Sequence, residues 1–304
     1  MSLLAIGTVA IDSIETPYGK ADRIVGGAAT YISWAASYFT KDIKIVSIIG
    51  DDFPSEELGF LESRGVDISG VRKVEGGKSF FWSGKYHLDM NSRDTLDTQL
   101  NVLADFNPVL EPNQQDSNYL MLGNLTPAIQ MSVLKQMKKR PQIIAMDTMN
   151  FWMDTAMDEL KEVIGMVDIL TINDEEAKQL SGEKNLSKAA EIILEMGPQY
   201  LIIKKGEHGA LLFDRNNVFF APALPLSQVF DPTGAGDTFA GGMMGYLAGK
   251  GKLSFENLKS AIIYGSAMAS FCVEEFGINR LKTLTAEVID ERLRMFVDLV
   301  HFEL

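Results

Sequence analysis

Apolar and polar positions along this chain alternate between strand and helix periods for most of its length. LLAIGTVAID, residues 3 to 12, is an apolar run closed by an acid and predicts a buried strand. GGAATYISWAASYF, 26 to 39, predicts a helix with Tyr31, Trp34, Ala35 and Tyr38 on one stripe, and the polar TPYGKADRIV before it reads as a loop. IKIVSIIG, 43 to 50, is a second buried strand, followed by a helix from about Ser55 to Arg64. From Val71 to Leu88 short alternating runs, broken by Gly76-Gly77 and Gly84, predict hairpins, whose Phe81 and Trp82 either line an inner face or form a small aromatic core. After Pro112 the rhythm is regular. Strands are expected at 118–124, 142–147, 167–173, 200–206, 209–213 and 218–222, with helices opening at Thr126-Pro127 and near 174–181 and 186–196. This alternation predicts an α/β chain whose mainly parallel sheet is covered on both faces. Ligands of open α/β sheets lie beyond the carboxyl ends of the strands, where Asp12, Asp147, Asn173, Gly206 and Asp231 are expected.

The stretch VFDPTGAGDTFAGGMMGY, 229 to 246, carries the densest chemistry. It reads as a strand end, a turn through Asp231-Pro232-Thr233, three small residues, and a helix with Phe239, Met243, Tyr246 and Leu247 at helical spacing. Free N–H groups and the dipole at a helix start attract anions, so the acid Asp237 inside that turn reads as a base beside a phosphate. A Walker A loop would place Lys and Ser/Thr where Asp237-Thr238 stand, and a dinucleotide fingerprint would want a small residue where Phe239 is. Locally, a plain glycine turn with Asp237 as a dipole partner remains an alternative.

Composition narrows the setting. Of 304 residues 46% are apolar, enough for a core without staples, and the single Cys272 lies in an apolar helical run, as a buried thiol would in a reducing compartment. A net charge of −13 disfavours a nucleic-acid surface, so an anion such as a phosphate must be held by local dipoles and a few cations. MSLLAIGTVAID lacks a basic leader and no apolar run reaches about 18 residues, so no signal peptide or membrane span is expected and the location expected is cytoplasmic.

DPTGAGDTFAGG, 231 to 242, closely resembles the C-terminal signature of the PfkB family of carbohydrate and nucleoside kinases, the ribokinase-like group. The Gly-Gly pair before the first helix, the GDD turn at 50–52 and the N-x-x-E of Asn173 to Glu176 also match that family. The resemblance implies a three-layer α/β/α ribokinase-like fold, a single kinase domain over 1–304, with a small β lid inserted around 12–25 and 71–105. It implies Asp237 as catalytic base, with Gly234, Ala235 and Gly236 holding the transferring phosphate. Asp12, Gly26 and Gly27 would bind the acceptor, and Asn173, Lys205, Gly206, Gly209 and Thr233 the nucleotide. Glu176 would organise Mg²⁺ through water, while Asp147 and Asn150 are minor phosphate-side candidates, and Gly265, Ser266 and Ala267 would let a flat base lie close. The substrates implied are ATP and a sugar, polyol or nucleoside. A homodimer through the lid is a family habit, as is a monovalent cation near GAGD, where CVEEFGINRL departs from the usual small-residue pattern.

The expected activity is therefore transfer of the γ-phosphate of ATP to a hydroxyl of a sugar or related polyol. A nucleoside kinase is the alternative, and a catalytically silent binder of nucleotide or sugar the rival from another class. The segment from about Tyr86 to Pro112, which matches no lid pattern, leaves the acceptor open.

Overall fold

The structure is a computed structural model that describes residues 1–301 and 303. Thirteen strands form two sheets among the described residues: β1 Leu3–Ile6, β2 Ala10–Thr16, β3 Gly19–Gly26, β4 Ile43–Gly50, β5 Val66–Val74, β6 Phe81–Tyr86, β7 Arg93–Gln99, β8 Tyr119–Leu122, β9 Ile143–Asp147, β10 Ile169–Asn173, β11 Tyr200–Lys204, β12 Ala210–Phe213 and β13 Val218–Ala221. The large sheet has nine strands in the order β13-β12-β11-β10-β9-β8-β1-β4-β5, parallel from β11 to β5, with β12 and β13 antiparallel at one edge. Its two faces are both apolar. Leu3 and Ala5 of β1 join a core with the helices Ala28–Ala36, Ala235–Lys250 and Phe255–Cys272, while Leu4 and Ile6 join a second core with Pro127–Gln136, Met157–Ile164, Asp174–Ser181 and Leu186–Glu195. This is the three-layer α/β/α arrangement expected from the strand–helix rhythm.

The small sheet, β3-β2-β6-β7, is a lid built from the hairpin 10–26 and the hairpin 81–99. Three expectations change here. LLAIGTVAID is two strands, because the chain leaves the large sheet at Gly7-Thr8-Val9: the Thr8 hydroxyl and carbonyl accept the Ala28 and Ala29 N–H groups of the first helix, and Val9 N–H donates to Ser47. Asp12 therefore rides on the lid and does not end a strand of the large sheet. The polar stretch after it is strand β3, its polarity that of a sheet with an outer wet face. Finally, Val71–Val74 closes the edge strand β5 of the large sheet, so the lid's second hairpin starts only at Phe81.

The helix Ala235–Lys250 is buried on nearly every side between two neighbours. A Cβ on Gly241 would stand 2.7 Å from Ile32 Cα, and one on Gly245 2.8 Å from Ala36 Cα, so bare backbone lets the first helix pack close. On the opposite side a Cβ on Gly265 would stand 2.6 Å from the Phe239 carbonyl. Gly265 is thus spent on helix packing, and Ala267 packs with Leu224 and Phe296, which removes both from the flat-base wall expected of them. The result is a rigid post at the centre of the molecule whose first turn carries Asp237.

Candidate active site

The post begins at Gly234, whose φ of 74° is left-handed and whose absent side chain leaves room for Tyr31: a Cβ would stand 2.5 Å from ring atom Cδ2. No strand precedes it. Val229 and Phe230, the strand end expected from sequence, lie in a loop because only two apolar residues stand before Pro232; Phe230 N–H donates to the Val273 carbonyl. Asp231 is fully buried and clamps that loop, one carboxylate oxygen accepting Thr233 N–H (2.8 Å) and the other Gly277 N–H (2.9 Å). Ala235 N–H donates to Pro232 O at 3.2 Å. The N–H groups of Gly236 and Asp237 have no acceptor among the described residues, so the anion site expected here is exposed at those two amides and is weaker at Ala235.

Asp147 and Lys204, at the ends of β9 and β11, and Glu176, in the first helical turn after β10, gather beside that turn. Asp147 and Lys204 form an ion pair at 2.7 Å, and the Asp147 carboxylate also accepts Thr148 N–H at 2.8 Å. Glu176 closes a capping box with Asn173: Asn173 N–H donates to Glu176 Oε2 (2.7 Å) and Glu176 N–H to Asn173 Oδ1 (2.8 Å). The local and functional readings of N-x-x-E are therefore compatible, since the box uses one oxygen of a buried carboxylate and leaves the other to the cleft. Lys204 lies against the anion turn, and a Cβ on Gly236 would stand 3.1 Å from its Nζ.

Electrostatics follow from this crowding. Burial and the neighbouring Asp147 push Asp237 up to about 7, with Lys204 and Arg93 pulling it back. The same forces push Glu176 up to about 7. Burial opposes the charge of Lys204, but Asp147 and Glu176 outweigh it and raise the ammonium. Asp12, pushed up to about 8 by burial and by Asp231 and Asp237, completes the group from the lid side. Perturbed carboxyls gathered in one cleft mark functional chemistry.

Asp12 and Thr8 explain the Gly-Gly pair. A Cβ on Gly26 would stand 2.5 Å from the Asp12 Cγ, and Gly27, at φ 95°, would place one 2.5 Å from the Thr8 carbonyl. Asp12 sits beside Trp82 in the parallel register of β2 and β6, so the two share the lid's inner face with Ile14, Gly84 and Tyr86. Phe81 alternates to the other face, against Arg23, and leaves that inner wall. Tyr86 closes on the anion loop, its hydroxyl accepting Thr233 Oγ1–H at 3.1 Å.

Lys204 was missed by sequence reading, which singled out its neighbour Lys205. Strand phase decides between them: Lys204 pairs beside Asn173 in the β10–β11 register, whereas Lys205 makes no ion pair among the described residues. Gly206 (φ 53°) and Gly209 (φ 82°) shape the turn after β11, and a Cβ on Gly209 would stand 2.9 Å from Ala223 N, so Gly209 is fixed by backbone packing. Asn150 bonds Gln179 and stands outside the cluster. No group of three or more His, Cys, Asp or Glu that could cage a metal occurs among the described residues. The capping box uses one Glu176 oxygen, and the other is a hard donor of the kind that Mg²⁺ takes through water.

A nine-stranded, helix-covered sheet, a four-stranded lid, and an acid in the first turn of a buried helix make up a ribokinase-like fold. The chain belongs to the pfkB family of carbohydrate kinases, whose profile matches residues 2–284. It is 32% identical over 255 residues to the cytidine kinase of Thermococcus kodakarensis, covering 82% of this chain and 90% of that one. The fold superposes on the Burkholderia thailandensis nucleoside kinase in complex with inosine (TM-score 0.78, 20% identity, 98% and 99% of the two chains). It also superposes on a candidate ribokinase II from E. coli in complex with ATP and Mg²⁺ (TM-score 0.79, 19% identity, 98% and 99%). No helix among the described residues is long and apolar enough to cross a membrane.

Proposed function

We propose that this chain transfers the γ-phosphoryl group of ATP to a hydroxyl of a small acceptor bound under the lid, with Asp237 as general base. The observation that carries this is the placement of Asp237 in a turn with two free amides, against Lys204, and facing the Asp12 side of the lid. Asp12 would bind acceptor hydroxyls in the space Gly26 leaves beside it. Asp237, with a pKa near 7, would take the proton from the attacking hydroxyl. The Gly234–Asp237 turn and Lys204 would hold the charge of the moving phosphoryl group, where most of the catalysis of such transfers resides. Asn173, Lys205, Gly206, Gly209 and Thr233 would border the nucleotide, and Mg²⁺ would neutralise its phosphates with Glu176 as an outer partner.

Among acceptors the reading favours a nucleoside over a free sugar. Trp82 lies beside Asp12 on the lid's inner face and is partly exposed, so a ribose held by Asp12 would place its base within reach of an indole. The likeness to a cytidine kinase supports the same choice. We read the chain as one kinase domain carrying the lid, in a cytoplasmic setting that suits ATP and a buried free thiol. A homodimer through the lid is supported by its free edge, β7, which is exposed throughout and bares Leu96.

The test is ADP formation from ATP with a panel of nucleosides and free sugars. Turnover with cytidine or another nucleoside is expected. Turnover with free sugars alone would remove the nucleoside assignment and leave the phosphotransfer, whereas binding without turnover across the panel would favour the silent regulator. Base–aromatic stacking contributes about 1–3 kcal/mol, so Trp82→Ala should raise the KM for a nucleoside by about 5- to 150-fold and that for ATP far less.

A further inference from the structure

Five carboxylates crowd this cleft, Asp12, Asp147, Glu176, Asp231 and Asp237, and among the described residues Lys204 is the cation of the large sheet that lies with them. Lys204 is already paired with Asp147. A transferring phosphoryl group would need further positive charge, and the lid is the element placed to bring it.

Four cationic side chains lie on the lid strands: Lys20, Arg23, Lys85 and Arg93. Lys20 and Lys85 both pair with Glu15 (2.8 and 2.7 Å), and Arg23 pairs with Asp52 (3.1 Å). Arg93 has no carboxylate partner among the described residues. It stands directly across from Tyr86 in the β6–β7 register, so both side chains leave the hairpin on the same face. That face is fixed over the anion loop by the Tyr86–Thr233 hydrogen bond. The turn leading into Arg93 is seated as well: a Cβ on Gly206 would stand 2.6 Å from Asn91 Oδ1, so the lid touches the turn after β11. Arg93 is solvent-exposed, its guanidinium 5.9 Å from the Trp82 ring centre.

We propose that Arg93 is a catalytic residue that the lid, seated over the anion loop, lays onto the transferring phosphoryl group. The proposal rests on the phosphotransfer reading above. Its charge already acts on Asp237 and Glu176, lowering both. A guanidinium suits this task because its planar fork can hold two phosphate oxygens at once.

The experiment compares wild type, Arg93→Met, Arg93→Gln and Arg93→Lys in steady-state turnover with ATP and the best acceptor, each checked for cooperative thermal unfolding. Arg93→Met and Arg93→Gln are expected to lose about 10²-fold or more in kcat, with both KM values changed only a few-fold, and Arg93→Lys to fall between. Added guanidinium should raise turnover of Arg93→Met in a saturable way and leave wild type unchanged. Retention of kcat within about threefold, a loss confined to KM, or no rescue in a folded Arg93→Met would each overturn the proposal. Wild type without turnover would instead fail the phosphotransfer reading, and the assignment of Arg93 with it.

Discussion

In the proposed mechanism Asp237 and Lys204 would divide the chemistry of the cleft between proton and charge. Asp237, at about 7, is protonated below that pH and unable to act as base, so activity should rise as pH increases through about 7. Lys204 holds this value down, and Lys204→Met should move the acid limb of the kcat/KM profile to higher pH while lowering its plateau; an unmoved limb would disconnect the two residues. Asp237 was legible in sequence because GAGD compresses the whole device into four adjacent residues. Lys204 was not, because two lysines stand together at the end of an apolar run and only the pleat selects which one enters the cleft.

Elements were legible where one period held for a whole segment. Helix 174–181 was placed correctly because Asn173 and Glu176 form a capping box that sequence spacing displays. The break at Gly7-Thr8-Val9 was hidden, since the groups that pull the chain out of the large sheet belong to the first helix, some twenty residues on. The inner wall of the lid had the same difficulty: Phe81 and Trp82 look equivalent in sequence and are separated only by strand alternation and by the partners of β6. The anion turn allows a test at this scale. Gly234→Ala meets both a left-handed φ and the Tyr31 ring, so it should destabilise the protein by about 1–3 kcal/mol or more in urea unfolding. An alanine variant as stable as wild type would show that the turn relaxes without cost.

Across the whole molecule the cleft gathers acids that repel one another, and this sets a stability cost in the absence of ligands. Asp12 at about 8, and Asp237 and Glu176 at about 7, all have folded-state values above their unfolded ones. Raised carboxyls contribute stability that is complete below the unfolded value near 4 and is lost as pH rises through the folded values. The ligand-free protein should therefore lose stability from about pH 4 to about pH 8. Asp12→Asn removes one of these groups, so its gain in Tm over wild type should be larger at about pH 8 than at about pH 5; an equal gain at both would contradict the burial of a charge there. The central claim, that the acid in the anion turn drives phosphoryl transfer, is tested most directly by turnover of Asp237→Asn with ATP and the best acceptor, beside a thermal melt. The account predicts an intact fold and a kcat reduced by about 10²- to 10⁴-fold. A folded Asp237→Asn that turns over within a few-fold of wild type would contradict it.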